Sequence, residues 1–237
     1  MGYILLEGGA EFGGLMAQPD LRALDLAGGL HVRLSIIPAA AAADNNHHRA
    51  GQNGVRWFSK LGATQVTALP LIDQVSANSQ ELAAVLGRSR LIYLLGGFPH
   101  YLAQTLADSF CWTAILAAHR EGAVIAGSSA GAMVLCDHYY DPAAKSIKKG
   151  LNLLTGACVL PHHNTFGKTW ASQLAEQNPE LIFIGIDEET GMINDGPQGE
   201  WTVYGKGSVT LYRRHQSRCY RTGEMARFLN FNDMNPE

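Results

Sequence analysis

Ser129 lies in the run Gly127-Ser128-Ser129-Ala130-Gly131, behind the apolar stretch Ala123-Val124-Ile125-Ala126 and ahead of the small-residue start of a helix. A nucleophile elbow requires that layout: a strand, a sharp turn that strains the central serine, and glycines that leave room for the approach. The following helix aims unpaired amides at any oxyanion that forms beside Ser129, so serine hydrolysis is the first reading. A phosphate-binding turn or a plain tight turn is built from the same glycine-flanked serine. A hydroxyl attacks a carbonyl at neutral pH only when a neighbour accepts its proton, and histidine is the usual acceptor. His162 and His163 follow Leu160-Pro161 at the end of an apolar run, where a side chain reaches the carboxyl edge of a sheet. Adjacent residues of an extended segment point to opposite sides, so only one of the two can face Ser129. The developing oxyanion needs two backbone donors worth ~3 kcal/mol each. Ala130, just past the serine, and Gly97, after a strongly apolar strand, are the candidates.

Those groups must be positioned by the elements around them. Apolar runs over 3–6, 31–37, 65–70, 90–95 and 124–126 alternate with helix-length segments over 20–27, 55–61, 79–86, 100–108 and 112–120, the pattern of a parallel sheet covered by helices. Leu21, Leu24 and Leu26 form the expected inward face of the first helix, and Ser76 or Asn78 caps the third. Residues 44–49 read as an exposed loop. After Met133 the pattern loosens: 139–149, with Lys145, Lys148 and Lys149, reads as a surface excursion, followed by apolar 151–159, a helix over 170–176 and a strand over 181–186. Residues 201–212 read as an antiparallel pair turning at Gly205-Lys206-Gly207, and a polar tail begins at 228. No repeat, linker or composition shift marks a boundary, so one domain over 1–237 is expected.

Composition excludes several classes. An apolar fraction of 46% with 16% charged residues suits a chain with a continuous buried core. A net charge of −3 without clustered Lys and Arg speaks against nucleic acid or an anionic membrane surface as partner, which leaves a small peptide or other small molecule. The four cysteines form no C-x-x-C pair and read as reduced, mostly buried thiols. His47 and His48 lack a third ligand at metal-binding spacing, so neither a metal nor a cofactor is expected. The start Met-Gly-Tyr-Ile-Leu-Leu-Glu has no basic region and too short an apolar stretch for a signal peptide or span, so a cytoplasmic location is expected.

Five segments together resemble peptidase family S51, the serine peptidases that include peptidase E and cyanophycinase. They are Gly8-Gly9-Ala10-Glu11-Phe12, Leu94-Leu95-Gly96-Gly97-Phe98-Pro99, Gly127 to Met133, Leu160-Pro161-His162-His163 and Gly185-Ile186-Asp187-Glu188-Glu189-Thr190, in the family's order and across most of the chain. The resemblance implies a flavodoxin-like three-layer α/β sandwich of the class I glutamine-amidotransferase kind, mostly parallel with a C-terminal antiparallel hairpin, and a site at the carboxyl ends of the strands. It implies Ser129 as nucleophile, His162 as base with His163 the alternative, and Glu188 as the acid that orients the imidazole. In peptidase E an aspartate lies between serine and histidine, and Asp141 is the matching alternative here. Gly96, Phe98, Pro99, His163, Asn164 and Lys168 become candidate substrate contacts, with Arg49 a further carboxylate partner. The implied substrate is a small acidic, aspartyl-containing peptide or a cyanophycin-like one, and the implied assembly is a homodimer. The competing readings are a non-catalytic binding module on the same fold and an α/β-hydrolase-type esterase using Ser129, Asp141 and His162.

Overall fold

The computed structural model describes residues 1–227, and the polar tail expected from 228 lies outside the described residues. Along the chain come β1 (Ile4–Glu7), α1 (Ala17–Ala27), β2 (Arg33–Ile37), α2 (His47–Lys60), β3 (Gln65–Ala68), α3 (Gln74–Ala77) and α4 (Gln80–Leu86). They continue with β4 (Leu91–Leu94), α5 (Pro99–Leu106), α6 (Phe110–Arg120), β5 (Val124–Ser128), α7 (Ala130–Leu135), β6 (His138–Asp141) and β7 (Ser146–Lys149). The last part holds β8 (Ala157–Leu160), α8 (Lys168–Gln177), β9 (Ile182–Ile186), β10 (Thr190–Ile193), β11 (Trp201–Gly205), β12 (Ser208–Arg213), β13 (Gln216–Arg221) and β14 (Met225–Ala226).

The parallel strands lie in the order β3-β2-β4-β5-β1, and β10, β11 and β14 extend the same sheet antiparallel beyond β1. β1, β4 and β5 are buried along their whole length, as strands covered on both faces must be. Alternate side chains divide between the faces: Leu5, Leu34, Tyr93 and Ala126 pack with Leu24 of α1 and Phe58 of α2. Leu6, Ile92, Leu94 and Ile125 pack with Leu102, Ile115 and Val134 of α5 to α7. A second sheet, β13-β12-β9-β8, shares that second core through Ile184 and Leu211, and α8 closes over its outer face against Phe183 and Tyr212. The architecture is the expected three-layer sandwich with this smaller sheet added. Among the described residues no helix is long and apolar enough to cross a membrane.

Several local expectations change. The turn at 205–207 does not join a hairpin: β11 pairs with β10 and β14 while β12 pairs with β9 and β13, so the chain switches sheets there. The C-terminal hairpin is β12–β13, and local alternation alone cannot report which sheet a strand joins. Residues 139–149 form the hairpin β6–β7 with Tyr139, Tyr140 and Asp141 buried, rather than a surface excursion. α2 begins at His47, inside the expected loop, and Leu21 is exposed because α1 turns Ala23, Leu24 and Ala27 to the sheet. Ser79 itself caps α4, accepting from the Leu82 amide at 3.3 Å, while Asp73 and Ser76 form a capping box on α3.

At the elbow the main constraint is steric. A Cβ on Gly131 would stand 2.2 Å from the Leu94 carbonyl oxygen, and one on Gly127 would stand 2.5 Å from the Gly131 carbonyl carbon. These glycines let β4, β5 and α7 meet closely enough to hold Ser129 at the sheet edge. Gly131→Ala is expected to lower stability by about 2 kcal/mol or more, as overpacking does. Gly13→Ala, where an added Cβ meets nothing within 4 Å, should leave the thermal midpoint unchanged. Thermal denaturation of the two variants checks the difference.

Candidate active site

Four loops at the carboxyl ends of the strands meet around Ser129. The serine directly follows β5 and caps α7 with φ 48° and ψ −112°, a backbone region costing about 1–3 kcal/mol for a residue with a Cβ. The strain is held by packing: the Ser129 amide donates to the Glu7 carbonyl at 3.0 Å, and Met133 donates back to the Ser129 carbonyl at 3.0 Å. The hydroxyl therefore stands clear of the sheet, with its Oγ 3.0 Å from His162 Nε2. His162 Nδ1 lies 2.8 Å from Glu188 Oε1. A neutral His162 carrying its proton on Nδ1 donates to Glu188 and accepts from Ser129, the arrangement that readies a base.

His162 is placed by backbone. It has φ 50° and ψ 38°, its amide donates to the Gly8 carbonyl at 2.7 Å, and a Cβ on Gly9 would stand 2.3 Å from its Cε1. Glu188 is held by its own amide, which donates to Asn164 Oδ1 at 2.9 Å, and by its carbonyl, which accepts from Thr190 Oγ1 at 3.1 Å. Ala130 occupies the first position of α7, where the amide has no intrahelical partner. Gly96 and Gly97 follow β4. A Cβ on Gly96 would crowd the Ser129 Cβ at 3.2 Å, and one on Gly97 would strike the Ala40 carbonyl oxygen at 2.3 Å, so only glycine fits at 97.

The structure therefore joins Ser129, His162 and Glu188 and separates the alternatives. His163 turns to the opposite side, as alternation requires: its Nδ1 meets Asp187 at 3.2 Å, its Nε2 meets the Tyr212 hydroxyl at 2.8 Å, and it is buried. With both nitrogens engaged, it is neither a base for Ser129 nor a free substrate contact. Burial alone would raise the Asp187 pKa, but bonds from His163 and Ser208 hold it below the usual carboxylate value. Asp141 pairs with Lys148 at 2.8 Å at the end of β6. There burial is again outweighed by hydrogen bonds from Lys148, Ala144 and Ala143, and its pKa falls. Asn164, a candidate substrate contact, is exposed, and its Oδ1 accepts from the Glu188 amide. Lys168 is exposed at the start of α8, and Phe98 and Pro99 open α5 next to Gly97.

Beside the serine opens a cavity of about 890 Å³, lined by Glu11, Ala41, Asp44, Asn46, Arg49, Asn53, Arg56, Trp57, Lys60, Gly96 and Gly97, among others. It lies between the ends of β2 and β4, where successive connections leave for opposite faces of the sheet, the crevice in which open α/β sheets bind ligands. Arg49, Asn53, Arg56 and Lys60 recur at helical spacing and give α2 one polar, mostly cationic face toward it. Glu11 Oε2 accepts from Ser128 Oγ at 3.0 Å on the opposite side. The spacing of the basic residues on α2 was readable in the sequence; that this face turns to the site was not.

Below the elbow is a group the sequence did not single out. Glu7 of β1 is fully buried and accepts from the Tyr93 hydroxyl, while Asp20 of α1, 1% exposed, accepts from Trp57 Nε1 at 2.7 Å. Glu7 Oε1 and Asp20 Oδ1 are buried with no donor among the described residues. As two carboxylates neither could donate to the other, but one shared proton makes the pair a hydrogen bond. Burial first, then the Asp20 charge, pushes the Glu7 pKa up, and burial raises Asp20 to about 7 against the bonds from Trp57 and Glu7 that oppose it. Tyr93 and Glu11 are the other titratable groups acting on the pair. A carboxyl with a raised folded pKa adds stability that is complete below its unfolded value near 4 and is lost as pH rises through the folded value. The chain should accordingly lose on the order of a few kcal/mol between pH 4 and 8 from this pair. Asp20→Asn, whose amide oxygen still accepts from Trp57, should flatten that loss in denaturant titrations run across the pH range.

The profile of peptidase family S51 matches residues 4–200. The cyanophycinase of Trichormus variabilis is 28% identical over 198 residues, 78% of this chain and 64% of the relative, so the match spans less than two thirds of that protein. The cyanophycinase of Synechococcus elongatus is 27% identical over 221 residues, 89% of this chain and 67% of the relative. The crystal structure of a peptidase from an acI-B1 Actinobacterium superposes with a TM-score of 0.85 at 27% identity, covering 96% of this chain and 97% of that one. With its profile matched over most of its length, the chain belongs to peptidase family S51.

Proposed function

We propose that this protein is a serine peptidase that hydrolyses an amide bond in small acidic peptides through an acyl-enzyme on Ser129. The observation that carries the reading is the continuous chain from Ser129 Oγ through His162 Nε2 and Nδ1 to Glu188 Oε1, at 3.0 and 2.8 Å. In this reaction Ser129 Oγ attacks the scissile carbonyl carbon while His162 Nε2 takes the hydroxyl proton. Glu188 stabilises the imidazolium so formed and keeps the ring in register. The tetrahedral oxyanion is received by the amides of Ala130 and Gly97, which strain and close packing hold in place beforehand. His162 then delivers its proton to the leaving nitrogen as the C–N bond breaks. Water, deprotonated by the same imidazole, releases the acid and restores Ser129.

The substrate class is argued from charge. The cationic face of α2 in the cavity favours a carboxylate, and a guanidinium holds a carboxylate by two parallel bonds. That supports acidic, aspartyl-containing peptides, and the cyanophycinases among the relatives bring a cyanophycin-like substrate within the same reading.

Ser129→Ala should remain folded, lose activity by a factor of about 10³ or more and fail to react with a fluorophosphonate probe that labels the wild type. Equal labelling of both proteins would show that the nucleophile lies elsewhere. A dipeptide library screened with the wild type should give turnover that depends on an acidic residue. Arg56→Gln should raise KM for those substrates about tenfold, the effect of one charge-assisted hydrogen bond, with kcat nearly unchanged. A KM that does not respond to either Arg56→Gln or Arg49→Gln would remove α2 from substrate recognition.

A further inference from the structure

Two hydrogen bonds fix the edges of the His162 ring, one to Ser129 and one to Glu188. A ring held at two edge atoms can still swing about the line joining its partners, and such a swing bends both bonds at once. Phe166 covers one face of the ring. The two ring centroids are 5.1 Å apart with planes inclined by 24°, a stacked arrangement. Phe166 does not stand alone: its ring meets Trp170 at 5.6 Å, and Trp170 meets Tyr140 at 5.2 Å. Tyr140 lies buried in β6. His162, Phe166 and Trp170 thus form a column with one residue every four, leading from the site to the body of the fold.

The backbone makes this column possible. Residues His163–Gly167 form a π-helical turn, the wide turn often found at functional sites. The amides of Thr165, Phe166 and Gly167 all donate to the His162 carbonyl, at 3.0, 3.1 and 3.2 Å. The Phe166 main chain is therefore tied directly to the residue on which its ring stacks. Phe166 is itself 47% exposed, so burial in a core does not account for its place.

An aromatic face attracts a cation within about 6 Å of its centroid, and more strongly than it attracts a neutral ring. In the proposed reaction His162 gains a positive charge when it takes the Ser129 proton. We propose that Phe166 is a positioning residue for His162: its stacked ring, braced by Trp170 and Tyr140, keeps the imidazole in line and favours its protonated form. The inference rests on the peptidase reading of Ser129 and deepens it.

Three variants separate packing from the aromatic face: Phe166→Tyr keeps both, Phe166→Leu keeps bulk without the face, and Phe166→Ala loses both. Phe166→Ala should lower kcat about 3- to 10-fold with KM little changed, and Phe166→Tyr should restore it. Phe166→Leu and Phe166→Ala should both move the acidic limb of the kcat/KM profile about half a pH unit lower, and Phe166→Tyr should not. The His162 imidazole pKa, followed by NMR titration, should fall in the same two variants. That readout does not depend on turnover, so it tests the stack even if Ser129→Ala reacts with the probe like the wild type and the peptidase reading fails. An unmoved His162 titration in a folded Phe166→Leu would overturn the inference. A Phe166→Ala effect confined to KM would do the same, since it would make Phe166 a substrate contact. Should the alanine variant fail to fold, the leucine variant decides the matter.

Discussion

Three consecutive carbonyls at the end of β1 organise the site. Glu7 accepts from the Ser129 amide, Gly8 from the His162 amide and Gly9 from the Glu189 amide, at 3.0, 2.7 and 3.2 Å. The segments carrying Ser129, His162 and Glu188 come from parts of the chain that share no local sequence, yet each is tied by main chain to one three-residue stretch. A hydrogen bond to a backbone carbonyl has a narrow geometric optimum and does not depend on side-chain rotamers. The distances along the Ser129, His162 and Glu188 side chains thus inherit the rigidity of the sheet. The two glycines are required by this close approach: a Cβ on Gly8 would stand 2.1 Å from the Asp187 carbonyl oxygen, and one on Gly9 would enter the His162 ring.

The same strand end carries an electrostatic load. Glu7 presents its carbonyl to Ser129 and its carboxyl to a buried space shared with Asp20, Tyr93 and Trp57. Two buried carboxyls are tolerated there because one proton and two neutral donors serve them, and a second negative charge in that space would be uncompensated. Trp57 also lines the cavity, so a single network reaches from beneath Ser129 to the cavity wall. Elsewhere the carboxylates behave in the ordinary way: Asp141, Asp187 and Asp195 have lowered pKa values because hydrogen bonds from Lys148, His163 and Arg22, among others, outweigh their burial.

Strain is also concentrated at the site. Ser129 and His162 both hold positive φ without being glycine, as do Ala10, Phe12 and Glu189 in the loops that enclose them. Such residues persist where surrounding contacts over-determine them. Here the determinants are the β1 carbonyls, the converging amides of the turn after His162 and the close approach of β4 to α7. The smaller sheet matters for this reason as well. β8 delivers His162 and β9 delivers Glu188, and their parallel pairing, with Leu160 opposite Gly185, brings the two loop starts side by side.

Taken alone, the sequence determined most of the elements and narrowed the candidate site residues to a few. Apolar runs in strand lengths, glycines around Ser129 and a histidine pair after Leu160-Pro161 are local features, and local features obey periods and turn chemistry that a linear reading can follow. It also limited the base to one of two adjacent histidines, since alternation sends them to opposite sides. Only the tertiary structure decided which one, because the answer depends on the twist and register of β8 against β9. The choice of Glu188 over Asp141 was likewise tertiary: both carboxylates lie at or just past a strand end, and only the tertiary structure shows that Lys148 holds Asp141. The sheet switch at 205–207, the Glu7–Asp20 pair and the stack on His162 stayed hidden as well. The first two are contacts between segments far apart in the chain, and the stack depends on a rare wide turn that the four-residue spacing alone does not announce.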